Sequence, residues 1–194
     1  MENNDVFLEF LSYSKGLLIA PAGHGKTYII AKMVSSVEAD KPQLILTHTH
    51  AGIASLKKKF REQGIPPKKY SIETICGFLQ RYVLTLCKRT EVPSQEYKNF
   101  FQQIVEIAEH LFSKPAVMRI VTQSYSHLYV DEYQDCTLDQ HKIIMLMSEE
   151  LPTHLLGDPL QGIFDFAQPI VDFEKDLLLF KHYDFLQIPW RWKN

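Results

Sequence analysis

The feature that most constrains the fold is a loop of small residues between an apolar run and a helical pattern. The run Leu17-Leu18-Ile19 leads into Ala20-Pro21-Ala22-Gly23-His24-Gly25-Lys26-Thr27, and a helical stretch follows. A strand, a small-residue loop and a helix in that order let backbone N–H groups at the helix N-terminus form a cradle for phosphate oxygens. In such a loop Lys26 would reach the β- and γ-phosphates of a nucleotide, and the Thr27 hydroxyl would bind Mg²⁺.

The loop departs from the strict phosphate-loop pattern at its first position. That pattern places a glycine five residues before the glycine of Gly-Lys-Thr, and this chain has Ala20 there. A strand-to-helix turn that binds no ligand therefore stays open as an alternative for this segment taken alone. The candidate nucleotide contacts are Ala22, Gly23, His24, Gly25, Lys26 and Thr27.

Composition indicates a globular domain and gives no bulk support for nucleic-acid binding. The chain has 194 residues, of which 45% are hydrophobic and 12% aromatic, which suits one α/β domain. Its 21 Lys and Arg residues are nearly balanced by 23 Asp and Glu residues. A nucleic-acid-binding protein with this balance needs a local basic or aromatic track rather than a basic surface throughout.

The cysteines and the N-terminus indicate where such a chain resides. Cys76, Cys87 and Cys136 are odd in number and form no C-x-x-C pair, so a disulfide or a zinc site is disfavoured. Residues 1–5 are acidic and polar, which does not suit a signal peptide. No apolar run approaches the roughly 20 residues that span a bilayer. We expect a soluble, cytoplasmic protein with no membrane partner.

Short β-rich runs alternate with helical patterns, which indicates a mostly parallel sheet with helices on both faces. The predicted strands cover residues 17–20, 43–47, 127–131, 153–157 and 185–188. The predicted helices cover residues 26–38, 51–63 and 138–150, with three further patterns at about 74–88, 95–112 and 115–123. No strand is evident among those last three. We therefore expect a small helical insertion at about 76–124, between the second and third core strands.

A second chemical feature is the apolar strand that ends in Asp131 and Glu132. In open α/β folds the carboxyl ends of the strands are where ligands bind. In a phosphate-loop ATPase an aspartate at this position holds Mg²⁺, and the following glutamate orients and deprotonates the attacking water. An acidic loop that merely ends a strand is the alternative, and it loses weight because the chain also contains the Gly-Lys-Thr loop.

A third apolar strand, at 153–157, leads into a polar turn that contains Gln161. A glutamine at this edge of the sheet can hydrogen-bond a γ-phosphate or its attacking water and so respond to the nucleotide state. Phe164 and Phe166 follow it, and their rings could stack on nucleic-acid bases. Packing in the core is the alternative for both, and we favour stacking for Phe166 alone.

Taken together, these segments resemble the UvrD/Rep/PcrA-like helicases of superfamily 1. The resemblance covers nearly the whole chain and runs in the family's order. The six matching elements lie at residues 22–27, 47–54, 74–78, 130–135, 157–166 and 189–191. Six elements in the right order are far more specific than any single motif.

The resemblance implies a RecA-like P-loop NTPase domain, the first of two between which ATP binds. Such proteins use ATP hydrolysis to move along single-stranded DNA. Residues 1–194 would form this first domain, including the helical insertion, and the second RecA-like domain would be missing. An isolated first domain is expected to bind Mg-ATP modestly and to hydrolyse it slowly or not at all.

The resemblance also assigns roles around the nucleotide. It implies that Asp131 holds Mg²⁺ together with Thr27, that Glu132 is the catalytic base and that Gln161 senses the γ-phosphate. Trp190 would stack on the adenine, and Arg191 would add positive charge beside the transferring phosphoryl group. The chain has no glutamine in residues 1–20, so the family's adenine-reading glutamine is absent.

On the nucleic-acid side the chain departs further from the family. The candidate contacts by resemblance are His48, His50, Thr74, Phe78 and Phe166. His48 stands where the family has Phe, and His50 stands where it has Asn. Ala167 replaces an Arg, and Cys76 replaces a His. Because this sequence lacks cationic side chains that the family has, we expect weak and salt-sensitive strand binding.

Two other functions compete with the helicase interpretation. One is an ATPase switch or regulatory module that uses the fold without unwinding nucleic acid and is completed by a partner protein. The other is a nucleic-acid-binding scaffold with a relict nucleotide pocket. The intact set of chemical groups argues against the relict pocket.

Overall fold

Six strands form one sheet in the computed structural model of the chain, which describes residues 8–21, 23–161 and 170–183. The strands are β1 (Lys15–Ile19), β2 (Gln43–Thr47), β3 (Tyr70–Thr74), β4 (Leu128–Val130), β5 (Thr153–Gly157) and β6 (Lys181–Tyr183). Their order across the sheet is β3-β2-β4-β5-β1-β6, and all neighbouring pairs are parallel. This is the RecA-like α/β fold that the sequence predicts.

Helices connect the strands and cover both faces of the sheet. They are α1 (Lys26–Ser36), α2 (His50–Glu62), α3 (Ile75–Leu86), α4 (Phe100–Phe112), α5 (Pro115–Ser124), α6 (Leu138–Ser148) and the short α7 (Phe173–Asp176). Single 3₁₀ turns occur at Pro67–Lys69, Arg89–Glu91, Tyr133–Asp135 and Pro159–Gln161. No helix in the described ranges is long and apolar enough to cross a membrane.

Alternate residues of each strand enter two apolar layers. Leu44 and Leu46 of β2 pack with α3 to α6 on one face, whereas Ile45 packs with α1 and α2 on the other. Because both faces are covered, the central strands read as continuous apolar runs in the sequence. This explains why β2 and β5 lie where the sequence predicts them.

Two strands depart from the prediction. The first is β3, which was not predicted, and in which buried Ile72 lies between the partly exposed Ser71 and Glu73. The second is β6, a three-residue strand whose first two residues are exposed. Both lie at the edges of the sheet, where only one side is paired and polar residues are tolerated. The strand predicted at 185–188 lies outside the described residues.

The predicted helical segment is present as α3, α4 and α5. It lies between β3 and β4, the third and fourth strands, because β3 precedes it. Phe78 of α3 and Phe112 of α4 belong to the same apolar layer as β2 and β4. The segment is therefore part of the cover of one sheet face, and its description as an insertion in the domain stays a prediction.

Parallel pairing brings every strand's carboxyl end to one edge of the sheet. The Gly-Lys-Thr loop follows β1, and the acidic pair follows β4, with β5 between them. The loops after β2 and β3 lie along the other half of the same edge. The loops that carry Lys26, Asp131, Glu132 and Gln161 thus lie along one edge of the sheet.

Candidate nucleotide-binding edge

Two glycines give the loop after β1 its shape. Gly23 has φ 79° and Gly25 has φ 89°, and both values lie in the left-handed region that glycine enters at little cost. Gly25 is the N-cap of α1, and its carbonyl accepts the N–H of Ile29 at 3.0 Å. Lys26 and Thr27 are therefore the first two residues of a helix, where free backbone N–H groups favour an anion. Ala22 lies outside the described residues.

The Lys26 ammonium is buried beneath this loop. Its side chain is 6% exposed, and Nζ donates to the Ala20 carbonyl at 3.1 Å and lies 3.3 Å from a carboxylate oxygen of Glu132. Glu132 is 41% exposed, so this ion pair is open to solvent on one side only. A cation held in this way leaves donor capacity for a further anion, since an ammonium has three N–H groups.

Asp131 directly follows β4 and is buried. It is 5% exposed, its N–H donates to the Leu46 carbonyl at 2.8 Å, and its Oδ1 accepts the N–H of Glu132 at 3.1 Å. Burial, followed by the neighbouring Glu132 charge, raises the pKa of Asp131 to about 7. A carboxylate that is poorly solvated gains most from a cation, because a nearby positive charge favours its ionised form.

Glu132 adopts an unusual backbone conformation. Among the described residues it is the one non-glycine with positive φ, at φ 53° and ψ 48°. Such a conformation costs roughly 1–2 kcal/mol for a residue with a Cβ. Strain of this kind persists where the surroundings fix it, and it is concentrated at functional sites.

Gln134 belongs to the matching element at residues 130–135, although the sequence alone gives it no chemical role, and it joins Glu132 to the loop after β5. Its Nε2 donates to Glu132 Oε2 at 3.0 Å, and its Oε1 accepts the N–H of Asp158 at 2.9 Å. Asp158 is itself buried, and its carbonyl accepts the N–H of Gln161 at 2.9 Å. The element marks the position of Gln134, but the hydrogen bond to Asp158, which follows β5 and is remote in the sequence, is visible only in the structure.

An open cleft of about 800 Å³ lies between the loop and Glu132. Its lining includes Gly23, Gly25, Lys26, Thr27 and Glu132, and residues of α1 and α2 complete it. Pockets for small ligands commonly have volumes of this order. The structure therefore brings these predicted residues to one cleft, with Asp131 beside Glu132 and Gln161 on the neighbouring strand's loop.

Mg²⁺ suits the oxygen donors at this edge. The described residues contain no group of three or more Asp, Glu, His or Cys side chains that could hold a metal unaided. Mg²⁺ that accompanies a nucleotide is ordinarily bound by one or two protein oxygens, phosphates and water. The Thr27 hydroxyl and the Asp131 carboxylate fit that limited role.

The described residues predicted to contact nucleic acid are not among those that line this cleft. Partly buried His48 has Nε2 3.5 Å from the Sγ of Cys136, and desolvation lowers its pKa to about 4. It is therefore neutral at neutral pH and adds no positive charge. His50 is exposed at the start of α2, where Thr49 caps the helix by accepting the N–H of Gly52 at 3.0 Å.

Thr74 and Phe78 both serve α3 itself. The Thr74 hydroxyl is the N-cap of α3 and accepts the N–H of Gly77 at 3.0 Å. Phe78 is fully buried, and its ring packs against Tyr82 and Phe112 at centroid distances of 4.9 and 5.8 Å. A ring in this position presents no face to a nucleic-acid strand. Phe164, Phe166, Trp190 and Arg191 lie outside the described residues.

Comparison with known proteins adds an independent line of evidence. The family model described as the UvrD/REP helicase N-terminal domain matches residues 56–173. The chain belongs to this family. The match begins after the Gly-Lys-Thr loop and includes the acidic pair and the loop after β5, so the family assignment does not depend on the phosphate-loop pattern.

Two curated members of the helicase/nuclease class are similar to this UvrD-family chain. One ATP-dependent helicase/nuclease subunit, from Syntrophomonas wolfei, is 35% identical over 77 residues, which are 39% of this chain and 6% of that protein. The exonuclease/helicase subunit RexA of Lactococcus lactis is 25% identical over 174 residues, which are 86% of this chain and 14% of that protein. The chain thus spans a small part of the length of either relative.

Two solved helicases are partly similar to this chain. The UvsW helicase of bacteriophage T4 is 14% identical with a TM-score of 0.43, covering 86% of this chain and 53% of that one. The Pif1 helicase of Bacteroides, solved with ADP-AlF3 and ssDNA, is 11% identical with a TM-score of 0.49. The match covers 96% of this chain and 42% of the Pif1 chain. Both scores are below 0.5, so the fold assignment rests on the strand order and the family match.

Proposed function

We propose that this chain is the N-terminal ATP-binding domain of an ATP-dependent helicase or translocase that moves on single-stranded DNA. One observation carries the proposal: the buried Lys26 ammonium lies 3.3 Å from Glu132, in a cleft formed by a glycine-shaped helix N-terminus. A buried cation beside a helix N-terminus suits the binding of a phosphate group. Membership in the UvrD/Rep family makes ATP the natural nucleotide.

In the proposed complex the phosphates enter between the loop amides and Lys26. The backbone of residues 22–27 and the Lys26 ammonium bind the β- and γ-phosphates, while Thr27 and Asp131 hold Mg²⁺. The bound Mg²⁺ supplies positive charge that neutralises the phosphate oxygens. Because the phosphates carry more negative charge than one carboxylate, they compete with Glu132 for Lys26.

That competition prepares Glu132 for its proposed task. When Lys26 turns to the phosphates, the Glu132 carboxylate loses its cationic partner, and its Oε2 can accept a hydrogen bond from a water molecule. It is partly exposed, so a water molecule can reach it from the cleft. We assign Glu132 as the base that removes the proton from the attacking water, and Gln161 as the side chain that contacts the γ-phosphate.

Strand binding is proposed for the half of the edge beside β2 and β3. His50 and Phe166 remain candidate contacts to the strand. Thr74 is only partly buried, so it remains a candidate contact as well. The outer face of α2 adds positive charge through the exposed Lys57, Lys58 and Arg61. These residues provide the local basic track that a chain of nearly balanced charge needs for binding phosphodiester backbones.

A second RecA-like domain is proposed to complete the cleft in the full protein, in keeping with the greater length of the relatives. Trp190 and Arg191 stay proposed contacts to the adenine and the transferring phosphoryl group. The isolated chain should then bind Mg-ATP but turn it over slowly.

An ATPase switch without strand movement is the second candidate. The specific observation in its favour is that His48 is uncharged and Phe78 is fully buried, so part of the strand-binding set faces inward. A switch of this kind needs the nucleotide half of the edge and a protein partner only.

The deciding experiment measures Mg-ATP binding and turnover with and without a single-stranded oligonucleotide. We expect a fluorescent ATP analogue to bind in the presence of Mg²⁺, and the Glu132→Gln variant to bind it equally well. Any strand-stimulated turnover should be lost in that variant. If turnover is the same with and without the oligonucleotide but is lost in Glu132→Gln, the result would favour the switch. Absence of Mg-nucleotide binding by the unaltered chain would defeat both functions.

A further inference from the structure

We propose that Gln134 is a positioning residue that couples the orientation of Glu132 to the loop carrying Gln161. The inference rests on the proposed function, since it concerns the base and the phosphate-contacting glutamine of that reaction. Its geometric basis is a single buried amide with both ends in use. One end donates to Glu132 Oε2 at 3.0 Å, and the other accepts the N–H of Asp158 at 2.9 Å.

The amide is held from both sides. Gln134 lies in the 3₁₀ turn Tyr133–Asp135, which is anchored because the fully buried Tyr133 hydroxyl lies 2.8 Å from His141 Nδ1 on α6. At the other end, Asp158 organises the next turn: its Oδ1 accepts the N–H of Leu160 at 3.2 Å, and its carbonyl accepts the N–H of Gln161. The amide therefore connects two turns that otherwise belong to separate strands.

The chain provides space for this link at Gly157. A Cβ built there would lie 3.0 Å from Gln134 Oε1 and 2.8 Å from the ring of Phe173. A side chain at position 157 would crowd the amide oxygen, so glycine favours its close approach to the N–H of Asp158. The close approach has no evident purpose for packing alone, because an apolar side chain in place of Gln134 would fill the space without needing a partner.

Lys26 and Gln134 contact the same carboxylate oxygen. Lys26 Nζ lies 3.3 Å and Gln134 Nε2 lies 3.0 Å from Glu132 Oε2. When phosphates draw Lys26 away, the Gln134 amide is the described contact that still fixes the direction of the carboxylate. Conversely, a shift of the β5 loop on contact between Gln161 and a γ-phosphate moves Asp158, and through the amide it moves Glu132. An amide suits this role because it donates and accepts at once, which a carboxylate cannot do.

The test compares two variants with a matched control. Gln134→Met removes both hydrogen bonds, whereas Gln134→Glu keeps the acceptor for Asp158 and loses the donor to Glu132. Gln140→Met is the control, because Gln140 is equally buried but bonds to Thr137 and Cys76 rather than to the acidic pair. Thermal melting establishes that each variant is folded.

The main readout is amide hydrogen exchange in residues 157–161 with and without a slowly hydrolysed Mg-ATP analogue. We expect the nucleotide to slow exchange in this segment in the unaltered chain and in the Gln140 control, but not in Gln134→Met. Nucleotide affinity should stay within about threefold, while any turnover falls about tenfold to a hundredfold, since positioning affects the transition state rather than binding.

Each outcome separates this inference from the proposed function. Tight nucleotide binding with an undiminished exchange response in both Gln134 variants would overturn the coupling and leave the proposed function intact. An equal loss in the Gln140 control would also overturn it, since the effect would then be general. Failure of the unaltered chain to bind any Mg-nucleotide would remove the proposed function and the coupling together.

Discussion

The two halves of the sheet's carboxyl edge use similar residues in opposite ways. In the half formed by β4, β5 and β1, charged groups are buried close to one another and keep unused bonding capacity, as with Lys26 and Asp131. In the half formed by β2 and β3, polar groups are satisfied within the protein, as with the Thr74 cap and the contact between His48 and Cys136. The first half keeps charged groups available for a further partner, whereas these side chains of the second half already have partners within the protein.

This difference shows what a motif match does and does not establish. Burial of an ion is costly, and buried Lys26, which pairs with the partly exposed Glu132, keeps donor capacity for a further anion. A threonine at the end of a strand has an ordinary structural use as the cap of the next helix. Both positions match the family's pattern, yet only the first carries a physical argument for binding.

The largest effect is expected from Phe78→Ala. This variant tests whether Phe78, a predicted nucleic-acid contact in the half of the edge beside β2 and β3, belongs to the hydrophobic core. Removing a fully buried phenylalanine should lower the free energy of unfolding by about 3–5 kcal/mol, because a cavity remains among its aromatic neighbours. Urea denaturation measures this loss. Phe101→Ala is the control, since Phe101 is 56% exposed. A small loss of stability with a large loss of oligonucleotide affinity would show instead that Phe78 serves the strand.

Lys26→Ala should produce the next largest effect, confined to the nucleotide half. Loss of a charge-assisted contact to phosphate is worth about 1.5–3 kcal/mol, so Mg-nucleotide affinity should fall at least about tenfold. Titration with a fluorescent ATP analogue measures it. Lys59→Ala serves as control, because Lys59 lines the same cleft but pairs with Glu62 at 2.6 Å. Equal losses in the two variants would mean that the cleft attracts anions without a dedicated phosphate site.

Much of the fold could be predicted from the sequence, because buried parallel strands leave a strong local signal. β2 and β5 are unbroken buried runs, and their limits are those predicted. β3 left no such signal, since an edge strand buries one residue in five. The convergence of Lys26, Asp131 and Glu132 followed from parallel pairing, which brings the carboxyl ends of the strands together.

What could not be predicted from the sequence depends on contacts between distant segments. Gln134 lies in a matching element, but its hydrogen bond to Asp158 joins residues 24 positions apart, and no spacing rule predicts that contact. The interpretation of Phe78 as a strand contact came from the family pattern. Its burial follows from helical spacing with Tyr82 and from the position of α4, and only the second of these needs the structure.

Acid should destabilise the folded protein partly through His48, which directly follows β2. The pKa of His48 in the folded chain is lowered to about 4 from 6.5, so the unfolded chain binds the proton more readily. His48 therefore does not lower the free energy of unfolding above about pH 6.5. As the pH falls from there towards 4, the free energy of unfolding declines by at most about 1.4 kcal/mol per pH unit. His48→Phe should flatten that decline in urea denaturation measured across this range, although His154, whose pKa is also about 4, keeps part of it. His50→Asn controls for loss of an exposed imidazole, and an unchanged acid profile in His48→Phe would contradict the account.

The smallest effect is expected from Thr74→Ala, and it bears most directly on the comparison. Loss of an N-cap hydroxyl costs about 1 kcal/mol, so the free energy of unfolding should fall by about that amount. Thr74→Ser keeps the oxygen that accepts the N–H of Gly77 and should restore most of the loss. Oligonucleotide affinity measured beside stability then separates the two uses of this residue. If alanine leaves stability unchanged and weakens strand binding, Thr74 belongs to a binding surface, and the two halves of the edge are more alike than their geometry indicates.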